Sequence, residues 1–171
     1  MLQERLCERR EALTRSWTDA VLAAYPELGA AALAKEQDPF ANPLGHAARS
    51  GTRAALGALL DGADAVLSAA CLEGIIRIRA VQALRPSAAL HFILLLKGIL
   101  RAEAAGLTPT HEVAEELGRL EERIDAMALA AVDIYVRCRE QVFELRVGES
   151  RRRVAWVVDR LNARASVEGA P

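Results

Sequence analysis

The sequence predicts an all-α protein of about six or seven helices, the last of them long and amphipathic. Hydrophobic residues make up 52% of the 171 residues, and aromatic residues only 4%. Most of the apolar residues are Ala and Leu, which favour closely packed helices, whereas strands are enriched in β-branched and aromatic residues. Apolar residues also recur at helical spacing along most of the chain. The length predicts one domain, or one domain with a helical extension.

The composition excludes several classes of partner and location. The formal net charge of -1 gives no overall attraction to nucleic acid or to an anionic membrane. Cys7, Cys71 and Cys138 stand alone without metal-ligand spacing, which is typical of a reducing cytoplasm. The N-terminal residues lack an export signal, and the apolar run at 88–96 is about half the length that spans a bilayer. We therefore expect a soluble cytoplasmic protein with no nucleic-acid partner and no membrane insertion.

The first half of the chain is predicted to form three helices with turn-forming connections. Leucines and Trp17 recur at helical spacing in the first helix, and Pro26 ends it because the residue before a proline disfavours the helical region. Asp61-Gly62 breaks the third helix. The predicted boundaries are helices at 2–24, 27–36 and 47–61, with a proline-rich loop at 37–46.

The centre of the chain is its most apolar part and is predicted to form two core helices. The first spans 64–84, with Asp64 as its cap, and carries apolar residues on more than one face. The second spans 86–104 and begins at Pro86, whose fixed backbone angle suits the first helical position. It contains the run from Leu90 to Leu96, which only His91 interrupts.

A long amphipathic helix is predicted to follow Thr108-Pro109, with Thr108 as its cap. Its apolar positions alternate by four and three residues, as in coiled coils. The stripe is Val113, Leu117, Leu120, Ile124, Met127, Ala131, Ile134, Cys138, Gln141 and Leu145. Gly148 is expected to kink or end the helix, and 150–164 to continue as an amphipathic helix. The stripe is longer than a compact domain needs, so it pairs partly with a second copy or packs along its whole length within the chain.

His91 has two interpretations. It is either a haem or metal ligand, or a histidine at the edge of the core that bonds to a carbonyl or a carboxylate. No other His, Cys or carboxylate stands three or four residues from it, and haem iron needs an axial side chain in a ready-made pocket. The packed interpretation is favoured, and the sequence predicts no cofactor and no metal.

Polar residues on the central helices and on the long helix are candidates for a partner contact or for helix packing. They either form a pocket for an anionic ligand or make buried ion pairs that fix how the helices dock, and the second interpretation is favoured. The four glutamates early in the long helix are expected on a solvated face: Glu115, Glu116, Glu121 and Glu122. No nucleophile–base pair is visible, so no enzyme is predicted. The candidates are Arg79, Gln82, Lys97, Asp125, Asp133, Tyr135, Arg139 and Glu140.

Three segments together resemble the RsbRD N-terminal domain family. They are IIRIRAVQALRPSAALHFILLLKGIL at 75–100, FANPLG at 40–45 and ERIDAMALAAVDIYVRCREQVFELRVGE at 122–149. With Trp17 and Tyr25-Pro26, the resemblance covers roughly residues 10–150 in the same order. Arg85 departs from the pattern, because an Asp- or Ser-type cap suits the position before the proline better.

The resemblance implies a globin-like helical fold without haem, as in the sensory N-terminal portions of RsbR-type stressosome proteins. Those proteins act in stress signalling upstream of an alternative sigma factor, and a STAS domain follows their helical module. Because the helical module takes up most of the 171 residues, we expect no STAS domain in this chain. Stand-alone relatives also occur beside respiratory or sulfur-metabolism functions.

We therefore predict a globin-like sensory domain at 1–150 and a helical extension and tail at 151–171. The predicted function is a non-enzymatic sensory or regulatory role in stress or sigma-factor signalling. It depends on contacts with a second copy, as a homodimer, and with other signalling proteins. The alternatives are a haem- or small-ligand-binding globin-type sensor and an accessory protein of a respiratory or sulfur-metabolism system.

Overall fold

The computed structural model describes residues 1–24 and 41–168, with side chains described as far as 161. These residues are all-α and include seven helices, as predicted. The helix predicted at 27–36 and residues 37–40 of the loop predicted at 37–46 lie outside the described residues. The helices are α1 (Leu2–Glu8), α2 (Arg10–Ala23), α3 (Pro43–Leu60), α4 (Ala65–Ala70), α5 (Glu73–Val81), α6 (Pro86–Ala104) and α7 (His111–Glu168).

The helix predicted at 2–24 is two helices that meet at Arg9. The backbone of Arg9 lies at φ -98° and ψ 10°, outside the helical range. Arg5 and Arg9 both bind the carboxylate of Glu103 on α6, with N–O distances of 2.7 and 3.2 Å. These contacts hold the bend against α6. The bend could not be predicted from local sequence patterns, because the contacting residues are far apart in the chain.

Helix α3 begins at Pro43, four residues before the predicted start. The Asn42 side chain caps it by accepting a hydrogen bond of 2.7 Å from the Gly45 amide. Pro43 then occupies the first turn, where a proline loses no helical hydrogen bond. The predicted break at Asp61-Gly62 is confirmed, and Gly62 has a φ of 88° that favours glycine.

The helix predicted at 64–84 is also divided, into α4 and α5. Asp64 caps α4 as predicted, because its side chain accepts a hydrogen bond of 2.7 Å from the Leu67 amide. The chain turns at Cys71–Leu72, where α3 passes so closely that a Cβ on Gly51 would lie 3.1 Å from the Cys71 carbonyl oxygen. The prediction that this segment is largely buried is wrong for its outer residues, since Val66, Leu67 and Val81 are exposed.

Helix α6 has the predicted bounds and passes through the core. Arg85 precedes it without a side-chain capping bond, and Pro86 takes the first turn. The indole N–H of Trp17 on α2 donates to the Phe92 carbonyl at 2.8 Å, and the two rings lie 6.5 Å apart. Both side chains are fully or almost fully buried, so this pair joins α2 to the middle of α6.

Helix α7 is the longest element and packs against α4, α5 and α6. It begins at His111 rather than at the predicted 108–109. The Thr110 hydroxyl caps it by accepting a hydrogen bond of 3.2 Å from the Val113 amide. Gly148 does not end it, so that part of the prediction is wrong, and a kink there stays a prediction. The helix passes residue 150 without interruption, and the division into a domain at 1–150 and an extension stays a prediction.

None of the helices in the described ranges is long and apolar enough to cross a membrane.

Candidate functional site

Helix α7 carries two apolar stripes on opposite faces. The predicted stripe faces the core as far as Cys138, and its later members Gln141 and Leu145 are exposed. At 3.6 residues per turn, a second series lies on the opposite side over about 48 Å of helix. We call this second series the outer stripe: Leu129, Val132, Val136, Phe143, Val147, Val154, Val157 and Leu161. All of its members except the half-buried Val147 are exposed, from 38% for Val132 to 71% for Leu129.

A groove between α6 and α7 forms the N-terminal end of the outer stripe. It has a volume of about 530 Å³. Leu90, His91 and Leu94 of α6 line one wall, and Leu129 and Val132 line the other. Leu94 is 42% exposed although it belongs to the most apolar run of the sequence. The groove and the outer stripe therefore form one continuous apolar surface.

His91 lies in this groove and not at the edge of the core. Its side chain is exposed, so the interpretation as a packed histidine is wrong. The helical turn puts His91 on the outer side of α6, between the buried Leu90 and Phe92. Among the side chains described at 1–24 and 41–161, no three of His, Cys, Asp or Glu converge in a way that could hold a metal ion.

Two ion pairs join α6 to α7 beside the groove. The Lys97 ammonium lies 2.6 Å from the Asp125 carboxylate. The Arg101 guanidinium holds both oxygens of Glu121, at 2.6 and 2.8 Å, and these hydrogen bonds lower the pKa of Glu121 below its usual value. The expectation of a solvated face is therefore wrong for Glu121. The Lys97–Asp125 pair agrees with the interpretation of these two candidates as ion-pair partners that fix how the helices dock.

The end of α5 is held by two other candidates, both on α7. The buried Tyr135 donates its hydroxyl hydrogen to the Leu84 carbonyl. Arg139 donates to the Ala80 carbonyl at 2.9 Å. Ala80 lies in the last turn of α5, whose carbonyls have no partner inside the helix, and Leu84 lies in the turn that follows. The two donors therefore stabilise the end of α5 and the turn to α6.

Arg79 is buried in the core with 2% of its surface exposed. Its guanidinium donates to the Ala89 carbonyl at 3.1 Å and to the Val21 carbonyl at 3.3 Å. It also lies over the Phe92 ring at 4.7 Å from the centroid. One charged side chain thus joins α2, α5 and α6, which is a packing role.

The last three candidates are exposed and lie apart from the ion pairs. Gln82 follows the last residue of α5, and Asp133 and Glu140 border the outer stripe on α7. The predicted residues therefore do not form one pocket. Most of them dock the helices, while Asp133 and Glu140 lie beside the uncovered apolar surface.

Beyond Arg139, α7 projects from the helical body. No side chain from Gln141 to Leu161 is buried, over about 30 Å of helix at 1.5 Å per residue. The ion pair of Arg153 with Glu149 and the stacking of Arg160 over Trp156 at 5.2 Å both lie within the helix. The projecting part of the outer stripe is an extended apolar surface that the described helices leave uncovered.

A family model described as the RsbT co-antagonist protein rsbRD N-terminal domain matches residues 11–150. The chain belongs to this family. Comparison with curated proteins and with solved structures finds no match. The matched segment ends inside α7, so the outer stripe of this rsbRD N-terminal domain continues beyond it to Leu161. A role in a respiratory or sulfur-metabolism system stays a prediction.

Sequence reasoning missed the N-terminal half of the outer stripe. Leu129, Val136 and Phe143 repeat every seven residues, a signal that was present in the sequence. The core-facing stripe is more regular and is sufficient by itself to predict an amphipathic helix. Only the fold shows that a second set of apolar residues on the same helix has no covering element among the described residues.

Proposed function

We propose that this protein is a non-enzymatic regulatory module in stressosome-type, sigma-factor signalling, and that it acts through protein–protein contacts made by the outer stripe. The observation that carries the proposal is an exposed apolar surface along α7 in a member of the rsbRD N-terminal domain family. Contiguous exposed apolar surface is typical of interaction sites in soluble proteins. The contacts would be with a second copy of the chain and with other signalling proteins.

The spacing of the outer stripe supports pairing with a second copy. From Phe143 to Leu161 the positions 143, 147, 150, 154, 157 and 161 alternate by four and three residues, as the core positions of a coiled coil do. Five of them are apolar, and Ser150 is the exception. Serine is small and uncharged, so two helices can pack at this position without burying a charge. The seam that these positions would form therefore contains no charged side chain.

The packing of α7 supports a relay between the helical body and the outer stripe. The core-facing stripe packs against α4, α5 and α6, and Tyr135 and Arg139 hold the connection between α5 and α6. A rearrangement of the connection between α5 and α6 would rotate or shift α7, because Tyr135 and Arg139, which bind that connection, both belong to this rigid helix. The outer stripe on the opposite face would move with it.

The test is the molar mass of Phe143→Asp and Leu145→Asp variants by size-exclusion chromatography with light scattering. The two side chains are equally exposed, at 68% and 70%, but only Phe143 lies on the outer stripe. Wild type and Leu145→Asp are expected at twice the chain mass of 18.5 kDa. Phe143→Asp is expected to weaken dimerisation by about 100-fold or more, because a charge would be buried in the interface.

A strictly monomeric wild type at high concentration would contradict the homodimer. Equal dissociation of both variants would contradict the assignment of the outer stripe as the interface. A dimer that persists in Phe143→Asp would do the same.

A further inference from the structure

Arginines border the outer stripe along the projecting part of α7. In a coiled coil, the positions next to the apolar seam contact the partner helix and set which partner is chosen. Arg146, Arg153 and Arg160 each precede an apolar position of the seam between 143 and 161, and Arg151 follows Ser150. All four arginine side chains are exposed. They therefore face any helix that packs on this seam.

The two flanks of the seam stay positive when the acidic side chains beside them are counted. Glu144 is the one acidic residue at a flanking position, and Glu149 lies on the Arg153 side. Four arginines therefore stand against two glutamates. Asp159 and Arg152 lie on the face opposite the outer stripe, at 100° of rotation per residue. The flanks are basic although the whole chain has a net charge of -1.

The contacts that two of these arginines make within α7 are exposed and easily replaced. Arg153 pairs with Glu149, and these side chains are 77% and 55% exposed. Ion pairs of this kind contribute little free energy in water. Arg160 stacks over Trp156, which is itself 60% exposed. Both arginines can therefore turn to a partner at small cost.

A second copy of the chain matches the seam but not its flanks. In a parallel pair of identical helices, Arg146 lies against Arg151 of the other copy. In an antiparallel pair, the row of Arg146, Arg153 and Arg160 faces the same row of the other copy. Either orientation brings like charges together. A helix with carboxylates at its flanking positions would form ion pairs at these contacts instead.

The apolar surface also fits a helix better than a membrane. A helix that lies in a membrane interface has a broad apolar face with its aromatic side chains on that face. The seam is narrow, with arginines on both sides, and Trp156 lies on the far side of α7 from it. This arrangement is typical of a coiled-coil contact.

We propose that the projecting part of the outer stripe binds an acidic amphipathic helix of another protein. Apolar side chains of that helix pack on Phe143, Val154 and Leu161, and its carboxylates pair with the arginines on the two flanks. This choice of partner depends on the proposed role of the outer stripe as an interaction surface. Because the acidic helix and a second copy use the same seam, the acidic helix replaces the second copy.

The test is fluorescence anisotropy of two labelled helical peptides of about three heptads, titrated with the full chain. Both peptides carry Val and Leu at the seam positions, and one has glutamate and the other lysine at the flanking positions. The glutamate peptide is expected to bind at least about tenfold more tightly. A chain with a net charge of -1 has no general preference for an acidic peptide, so the difference reports the local flanks.

Arg151→Glu and Arg152→Glu form a matched pair of variants. The two residues are adjacent and exposed, but only Arg151 flanks the seam. Arg151→Glu is expected to weaken binding of the glutamate peptide about fivefold and to strengthen that of the lysine peptide. Arg152→Glu should leave both affinities unchanged. Phe143→Asp should abolish binding of both peptides, because it would bury a charge in the seam.

Equal binding of the two peptides, no binding of the glutamate peptide, or equal effects of the Arg151 and Arg152 variants would overturn the proposal. So would tighter binding to vesicles of anionic phosphatidylglycerol than to the glutamate peptide, which would indicate a membrane surface. The molar masses of wild type and Phe143→Asp report the homodimer separately. A homodimer that dissociates in Phe143→Asp, in a chain that does not bind the glutamate peptide, would refute the acidic partner alone.

Discussion

Ala83 shows at the residue scale how contacts from a distant helix hold an unfavourable backbone angle. Its φ is 57°, in the left-handed region that residues other than glycine rarely adopt. Tyr135 and Arg139 bind the carbonyls of Leu84 and Ala80 on either side of it. The turn between α5 and α6 is therefore maintained by α7 and not by its own sequence.

We expect Ala83→Gly to raise the free energy of unfolding by about 0.5–1 kcal/mol, because the left-handed conformation costs an alanine more than a glycine. The control is Ala102→Gly, at an exposed position inside α6. There the same substitution should lower the free energy of unfolding by about 0.5–1 kcal/mol, through lost helix propensity. Urea denaturation of both variants measures the difference, and equal signs would refute the strained turn.

At the scale of elements, two helical glycines have opposite surroundings. Gly51 lies where α3 meets the turn between α4 and α5, and an added Cβ would lie 3.1 Å from the Cys71 carbonyl oxygen and 3.3 Å from a methyl group of Ile75. Gly148 lies in the projecting part of α7, with nothing within 4 Å of an added Cβ. The first glycine permits close packing, whereas the second only weakens its helix.

Gly148→Ala is expected to stabilise the projecting helix by up to about 1 kcal/mol, the propensity difference between the two residues. Hydrogen exchange of the surrounding amides should slow by roughly fivefold. Residue 148 is not on the outer stripe, so the oligomeric state should not change.

Gly51→Ala is the opposite case. The new methyl group must push α3 away from the turn at Cys71, and we expect the free energy of unfolding to fall by about 1 kcal/mol or more. Chemical denaturation monitored by circular dichroism gives the value. If Gly51→Ala were as stable as wild type, the close approach of α3 to this turn would be disproved.

At the scale of the whole molecule, two carboxylates of α7 fasten distant parts of the chain. Glu121 binds Arg101 of α6. Glu116 accepts a hydrogen bond from the Gln3 amide at 3.0 Å and lies 3.5 Å from the Met1 amino group. Partial burial acts to raise the pKa of Glu116, but the Gln3 amide and the Met1 amino group outweigh it, so the pKa is lowered.

These lowered pKa values predict acid sensitivity. Glutamate in an unfolded chain has a pKa of about 4.3, so near that pH the unfolded state binds more protons than the folded state. The stabilisation is present above the unfolded pKa and is lost as the pH falls through the lower folded values. We expect the free energy of unfolding to decrease between about pH 5 and pH 3.

Arg101→Gln removes the Glu121 part of this effect and serves as the matched variant. Its loss of stability at neutral pH should be small, because Arg101 is mostly exposed and water screens the ion pair. Its unfolding free energy should also fall less steeply with acid than that of wild type. Parallel slopes for the two proteins would show that Glu121 does not contribute.

Much of the fold could be predicted because helices depend on local spacing. The bounds of α6, the break at Asp61-Gly62 and the core-facing stripe of α7 as far as Cys138 all agree with the sequence. Of the candidate residues, Lys97 and Asp125 pair directly. The exposure of His91 could not be predicted, because the most apolar run of the chain also has an uncovered side.

Local sequence patterns are enough to show that this protein is helical, where most of its helices lie and which face of α7 enters the core, since a 3.6-residue period is a local property of the chain. The tertiary structure decided where helices divide, at Arg9 and at Cys71–Leu72, because close approach and ion pairs from α3 and α6 act there. It also decided that the outer stripe stays exposed. Whether an apolar residue is buried depends on which other element covers it, and that is a property of the assembled fold.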